Sequence, residues 1–150
     1  MTQTLVLTSP QFDKDFIIFS FASEHTIVVV FLQKDDQGNE KPIEFFSRAL
    51  RDAPLKYQIM EKHAYALVKA IKDFWVYILY SHVIAYVPNS VVKDILTQEG
   101  LEGKRGKWIA NILEYDIEIR PTKLIKGQGL AKLLSETNFQ ALDINQLNNE

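Results

Sequence analysis

The spacing of apolar residues changes several times along this chain, and each change marks an element. Phe16-Ile17-Ile18-Phe19-Ser20-Phe21 is apolar on both faces, the pattern of a strand covered on both sides. Ala22-Ser23-Glu24-His25 reads as a tight polar turn. Thr26 to Gln33 is the clearest strand, because its β-branched and aromatic residues suit a pleated surface. Lys34 to Glu40 has the composition of a hairpin connection, and Ile43 to Ser47 follows as a third strand. Arg48 to Leu55, which holds Pro54, is a polar connector. The period then lengthens. Met60, Ala64, Leu67, Val68, Ile71 and Trp75 recur at three–four spacing, which predicts one long helix from Tyr57 to about Leu79. Lys62, Lys69, Lys72 and Asp73 fall off that stripe, while Trp75, Tyr77 and Tyr80 are expected to close the core. Val83 to Val87 is a short buried strand stopped by Pro88, and Asn89 or Ser90 can cap a helix over Val91 to Thr97. Gly103 to Leu113 is a further helix with Trp108, Ile109, Ile112 and Leu113 inward. Tyr115, Ile117 and Ile119 alternate with charged residues as a half-exposed strand, ended by Pro121. Gly127-Gln128-Gly129 leads into a last short helix, Leu130 to Glu136.

Composition narrows this picture. The length of 150 residues and an apolar share of 47% suit one domain with one real core. The expected boundaries are a tail or linker over 1–14, a domain over 15–137, and a second tail or linker over 138–150. The net charge of −2 provides no global field for nucleic acid, so any such contact needs a local patch. The absence of cysteine excludes disulfides and thiolate metal sites. Met1 to Pro10 lacks a basic n-region, and no apolar run approaches the ~20 residues of a membrane helix. An intracellular setting is expected, whether cytoplasm, virus-like particle or nucleus, without a membrane partner. Gly127-Gln128-Gly129 lacks the spacing and the Lys-Ser/Thr of a phosphate loop. No Ser/His/Asp arrangement has a supporting motif.

Three separated motifs carry a resemblance. Lys41-Pro42-Ile43-Glu44-Phe45-Phe46-Ser47-Arg48-Ala49-Leu50 is followed by Tyr57 and Glu61-Lys62, and the long helix ends Phe74-Trp75-Val76-Tyr77. Gly106-Lys107-Trp108 precedes Leu113-Glu114-Tyr115-Asp116-Ile117-Glu118-Ile119-Arg120-Pro121. Lys126-Gly127-Gln128-Gly129-Leu130-Ala131-Lys132-Leu133-Leu134 closes the series. In this order they resemble the RNase H-like region of Gypsy-type LTR-retrotransposon reverse transcriptases, the last motif resembling the plant Tat/Ogre lineage. The resemblance implies an α/β, RNase H-like fold. Its mixed five-stranded sheet has three antiparallel strands, then parallel additions, with flanking helices.

Active members cut the RNA of an RNA–DNA hybrid with magnesium held by carboxylates. The resemblance places those acids at Phe21, His63, Pro88 and Lys132, none of which is an acid. Magnesium wants hard oxygen ligands. Phe21 has no lone pair, Pro88 offers only its carbonyl, and His63 suits zinc or copper better. Lys132 reverses the charge. A lone His63 ligand is outweighed by a packed or partly exposed helical histidine, and His25 and His82 read as surface residues. Glu24, Glu61 and Asp94 are the nearby acids, and Glu61 should point away from His63 by the helical period. No catalytic residue, metal ligand or cofactor is therefore expected. Lys104, Arg105, Lys107, Lys123 and Lys126 form the candidate nucleic-acid patch, weighed against an ordinary solvated face.

The function this implies is a non-catalytic connection or tether in a retrotransposon polyprotein. It would link a polymerase domain to a downstream active RNase H, with an RNA–DNA hybrid as a further candidate partner. Two alternatives stay open: an active ribonuclease with rearranged metal ligands, and a stand-alone module binding a hybrid or a protein.

Overall fold

In the computed structural model of the chain, the described residues are 2–6, 10–98 and 102–122. Six strands, β1 (Thr2–Val6), β2 (Phe16–Ala22), β3 (Thr26–Lys34), β4 (Glu40–Ala49), β5 (His82–Val87) and β6 (Asp116–Pro121), form one sheet. Their order across it is β1-β4-β3-β2-β5-β6. β1, β4, β3 and β2 pair antiparallel in turn, and β5 and β6 join in parallel. The helices among the described residues are α1 (Asp52–Leu55), α2 (Ile59–Ile78), α3 (Ser90–Thr97) and α4 (Gly103–Leu113). The five strands read from the sequence are all present with the expected sense, giving an α/β, RNase H-like fold. One correction concerns the segment read as a tail: Thr2–Val6 adds a sixth strand against β4, with Thr2 opposite Arg48 and Val6 opposite Glu44. The helix expected over Leu130 to Glu136 lies outside the described residues.

The central strand β2 is buried along its whole length, and the sheet pleat divides its side chains between two clusters. Phe16, Ile18 and Ala22 pack under α2 with Phe31, Leu67, Ile71, Phe74 and Ile78. Ile17, Phe19 and Phe21 point to the opposite face with Val28, Val30, Leu32 and Phe45. Each such large side chain contributes roughly 1.5–3 kcal/mol of burial, which is what fixes the register. The β3–β4 turn is set locally. The Asp35 carboxylate accepts the N–H groups of Gln37 and Asn39, both at 2.9 Å. Gly38 takes φ +83°, a left-handed conformation that suits glycine. The Asn89 side chain caps α3 by accepting the Val92 N–H at 3.1 Å, as its position suggested.

Several inward assignments do not hold. Trp75 and Tyr80 are exposed, and only Tyr77 of that trio packs against the core. Leu113 is 77% exposed, beyond the reach of the contacts that bury Trp108 and Ile112. Conversely Lys62, read as off the apolar stripe, is 5% exposed. The polar connector after β4 contains the short helix α1, begun by Asp52 at φ +57°.

Candidate functional site at the strand ends

β2 and β5 run in parallel with Phe19 opposite Tyr86. Two residues further on each chain come Phe21 and Pro88, so the fold brings these two positions to one end of the sheet. Helix α2 crosses above and supplies His63, whose ring is completely buried. The Ala22 N–H donates to His63 Nδ1 at 2.9 Å. Nδ1 is thereby the acceptor nitrogen, and a neutral ring carries its proton on Nε2. Burial pushes the His63 pKa down to about 4, so the ring is neutral near pH 7.

Phe21 does not face His63. It lies on the sheet face away from α2, its ring 6.3 Å from that of Phe19. The neighbouring residue Ala22 is the one that faces the helix. Pro88 follows β5 and is half-buried. Lys132 lies outside the described residues. Three of the four positions singled out by sequence thus converge on one strand end, with backbone rather than ligands joining them.

Sequence reasoning missed Lys62. Its ammonium donates to the Glu24 carbonyl, in the turn that follows β2. A buried cation beside this turn works against a second cation there, since like charges ~4 Å apart cost about 4 kcal/mol at an effective dielectric near 20. Two of the nearby acids, Glu24 and Glu61, are turned elsewhere. The Glu24 side chain is exposed, 3.9 Å from His25. Glu61 reaches α4, 3.0 Å from Lys104 and 2.8 Å from Arg105. Burial raises the Glu61 carboxyl, but hydrogen bonds from Arg105 and Lys104 outweigh it and hold the pKa below the usual value. Among the described residues, no group of three His, Asp or Glu could hold a metal ion.

The candidate basic patch is also rearranged. Lys104 lies over the Tyr57 ring at 4.1 Å as well as beside Glu61. Tyr57, Tyr65 and Trp108 meet around it, with ring centroids 5.7–6.3 Å apart. Lys104 and Arg105 therefore fasten α4 to α2. Lys107 is exposed, while Lys123 and Lys126 lie outside the described residues.

A model of the "RNase H-like domain found in reverse transcriptase" matches residues 11–115. The chain belongs to that family. Among curated relatives, it is 27% identical over 143 residues to the retrovirus-related Pol polyprotein from transposon opus of Drosophila melanogaster. That match covers 93% of this chain and 14% of the relative. The Pol polyprotein from transposon 297 of the same organism is 29% identical over 123 residues, 82% of this chain and 11% of the relative. The Tf2-3 transposon polyprotein of Schizosaccharomyces pombe is 25% identical over 140 residues, 88% and 10% respectively. The chain thus spans only 10–14% of the length of these relatives. Among solved structures, the foamy viral protease–reverse transcriptase in complex with an RNA/DNA hybrid shares the fold. Its TM-score is 0.65 at 20% identity, over 80% of this chain and 17% of that one. Among the described residues no helix is long and apolar enough to cross a membrane.

Proposed function

We propose that this chain is a non-catalytic RNase H-like module of a Gypsy-type retrotransposon polyprotein, its last motif resembling the Tat/Ogre lineage. It serves as the connection between a polymerase domain and a downstream, acid-complete RNase H, inside the cell. Its partners are those neighbouring domains. The observation that carries this reading is the use of the strand-end positions for packing: Phe21 belongs to an apolar cluster, and His63 Nδ1 accepts a backbone N–H. The donor set does not suit the magnesium expected of active relatives. It offers no carboxylate at Phe21, His63, Pro88 or Lys132 and places the Lys62 ammonium beside the turn. The relatives being Pol polyproteins supports a polyprotein context.

A magnesium titration followed by amide NMR tests the reading. The expected result is no saturable shift at Phe21, Ala22, His63 or Val87. Saturable shifts confined to those residues would favour the rearranged ribonuclease instead. The reading frame on either side provides the complementary check: polymerase motifs upstream and an acid-complete RNase H downstream are expected.

A further inference from the structure

Helix α2 and its C-terminal cap end Phe74-Trp75-Val76-Tyr77-Ile78-Leu79, followed by Tyr80, a run without a charge on any side of the helix. A helix that is apolar all round is ordinarily buried all round. The described residues cover only part of this one. Phe74 and Ile78 are buried on the sheet, and Tyr77 is half-buried with its hydroxyl donating to Glu44 Oε1 at 2.7 Å. Val76 and Tyr80 are 62% and 94% exposed, and Trp75 and Leu79 are 48% and 42% exposed. Nearer the start of the same helix the outer side is closed by α4, where Tyr65 meets Trp108. We propose that the C-terminal end of α2, with Phe12 beside it, is a docking surface for the folded domain that precedes this module in the polyprotein. An apolar recess in that domain takes the rings of Trp75 and Tyr80. This surface rests on the connection reading, which puts a polymerase domain upstream, and gives that reading a physical contact.

Location selects the preceding domain over the following one. The segment that enters β2 is pinned by Gln33, whose side chain accepts the Gln11 N–H at 2.8 Å and donates to the Gln11 and Lys14 carbonyls at 2.7 and 3.3 Å. Between those anchors lies Phe12, 62% exposed, its ring 6.5 Å from that of Tyr77 with the planes 19° apart. Chain entry and the end of α2 therefore share one end of the sheet. β6 runs parallel to β5, and β5 to β2, so the last residue of β6, Pro121, lies at the other end. Ala22 and His63 are also at that other end, so the docking surface is separate from the strand-end site.

Size selects a tethered partner. At about 150–250 Å² for a large aromatic side chain, the exposed parts of Phe12, Trp75, Val76, Leu79 and Tyr80 amount to roughly 600 Å². That is at the upper end of what a monomer leaves in one patch. A stable complex between free chains takes about 800 Å² from each partner, so a second copy of this chain would need more surface than this. A neighbour on the same polypeptide needs less, because a short linker holds it at an effective concentration on the order of mM. Interfaces between domains of one chain begin near about 600 Å². The Pol polyprotein relatives have room for such neighbours, since this chain spans only 10–14% of their length. Trp and Tyr are well suited to anchor the contact, because each offers a large rigid area with few rotatable bonds.

The test is photocrosslinking in the polyprotein segment that runs from the preceding domain through this chain. Tyr80 is replaced by p-benzoylphenylalanine, and crosslinked peptides are mapped by mass spectrometry. Val91, half-exposed at the start of α3 and at the opposite end of the sheet, carries the same probe as a control. The expected result is crosslinking from position 80 to the preceding domain, about fivefold or more above position 91, with a loss of similar size when Trp75→Ser and Leu79→Ser are added. Each segment is checked for an unchanged thermal melt, and Trp75→Ser alone is used if the pair lowers it. Equal yields from the two positions, no crosslink from position 80, or a yield indifferent to the substitutions would overturn the docking surface. Crosslinks from position 80 to residues 123–150 would assign the patch to this chain's own terminal segment, and a crosslinked dimer would assign it to a second copy; either overturns the claim. A reading frame without a polymerase domain upstream would sink the connection reading and this surface together. A polymerase domain present upstream but not crosslinked would sink the surface alone.

Discussion

His63, at a position the family resemblance assigns to a metal ligand, serves the fold. Its ring is buried, and it satisfies the Ala22 N–H where β2 ends. Because burial lowers its pKa to about 4, the folded state resists a proton that the unfolded chain takes up near pH 6.5. The unfolded state thus binds more protons between those values, and stability rises with pH across that window. A shift of that size corresponds to roughly 3 kcal/mol. Urea unfolding at a series of pH values should show stability flat above about pH 7 and falling progressively towards pH 4. His63→Gln, which keeps an acceptor, should remove that dependence. Phe21 makes the reciprocal point. Phe21→Asp would place a carboxylate among Phe19, Val28 and Phe45, at a cost on the order of 4 kcal/mol in urea unfolding, and should not restore magnesium binding. The sequence left His63 as a packed or partly exposed helical residue, and its full burial needs the fold. The burial of Lys62 was not legible either, because a helical wheel ignores that a long apolar stem can carry its ammonium to a distant carbonyl such as that of Glu24.

Among the elements, α2 is the organiser. One side packs on the sheet, and its first turn anchors α4 through Glu61. Because the Glu61 side chain is only 13% exposed while its cations are more open, its two ion pairs are discounted for solvent. Glu61→Ala should cost about 1–2 kcal/mol in thermal or urea unfolding and speed amide exchange in α4 ahead of β2. Trp75→Ser should change stability by less than about 0.5 kcal/mol, since the side chain is about half exposed, whereas Phe74→Ala one residue earlier should cost roughly 3–5 kcal/mol. This contrast measures what periodicity can and cannot provide. The stripe of Leu67, Val68 and Ile71 was readable because it belongs to the helix itself. The exposure of Trp75 and Leu113 was not, because it depends on where neighbouring helices stop. β1 was missed for a similar reason: Thr2–Val6 is too short to declare a period, and its strand form comes from the edge of β4, a partner more than 37 residues away.

For the whole molecule, sheet order and function were legible to different degrees. The sequence of strands and helices was legible in the hydrophobic pattern, while the antiparallel run and the parallel additions were implied by the family resemblance. The family then followed from motifs that survive in order along the chain. The basic patch was less legible, since counting Lys104 and Arg105 could not reveal that Glu61 engages both. The central claim is that the scaffold persists without its hydrolytic chemistry. It is tested most directly by incubating the purified chain with a labelled RNA–DNA hybrid and magnesium or manganese, with an acid-complete RNase H as positive control. The expected result is an intact RNA strand over the time in which the control degrades it. Metal-dependent cleavage that co-purifies with the chain and is lost in a His63→Ala variant would contradict the account.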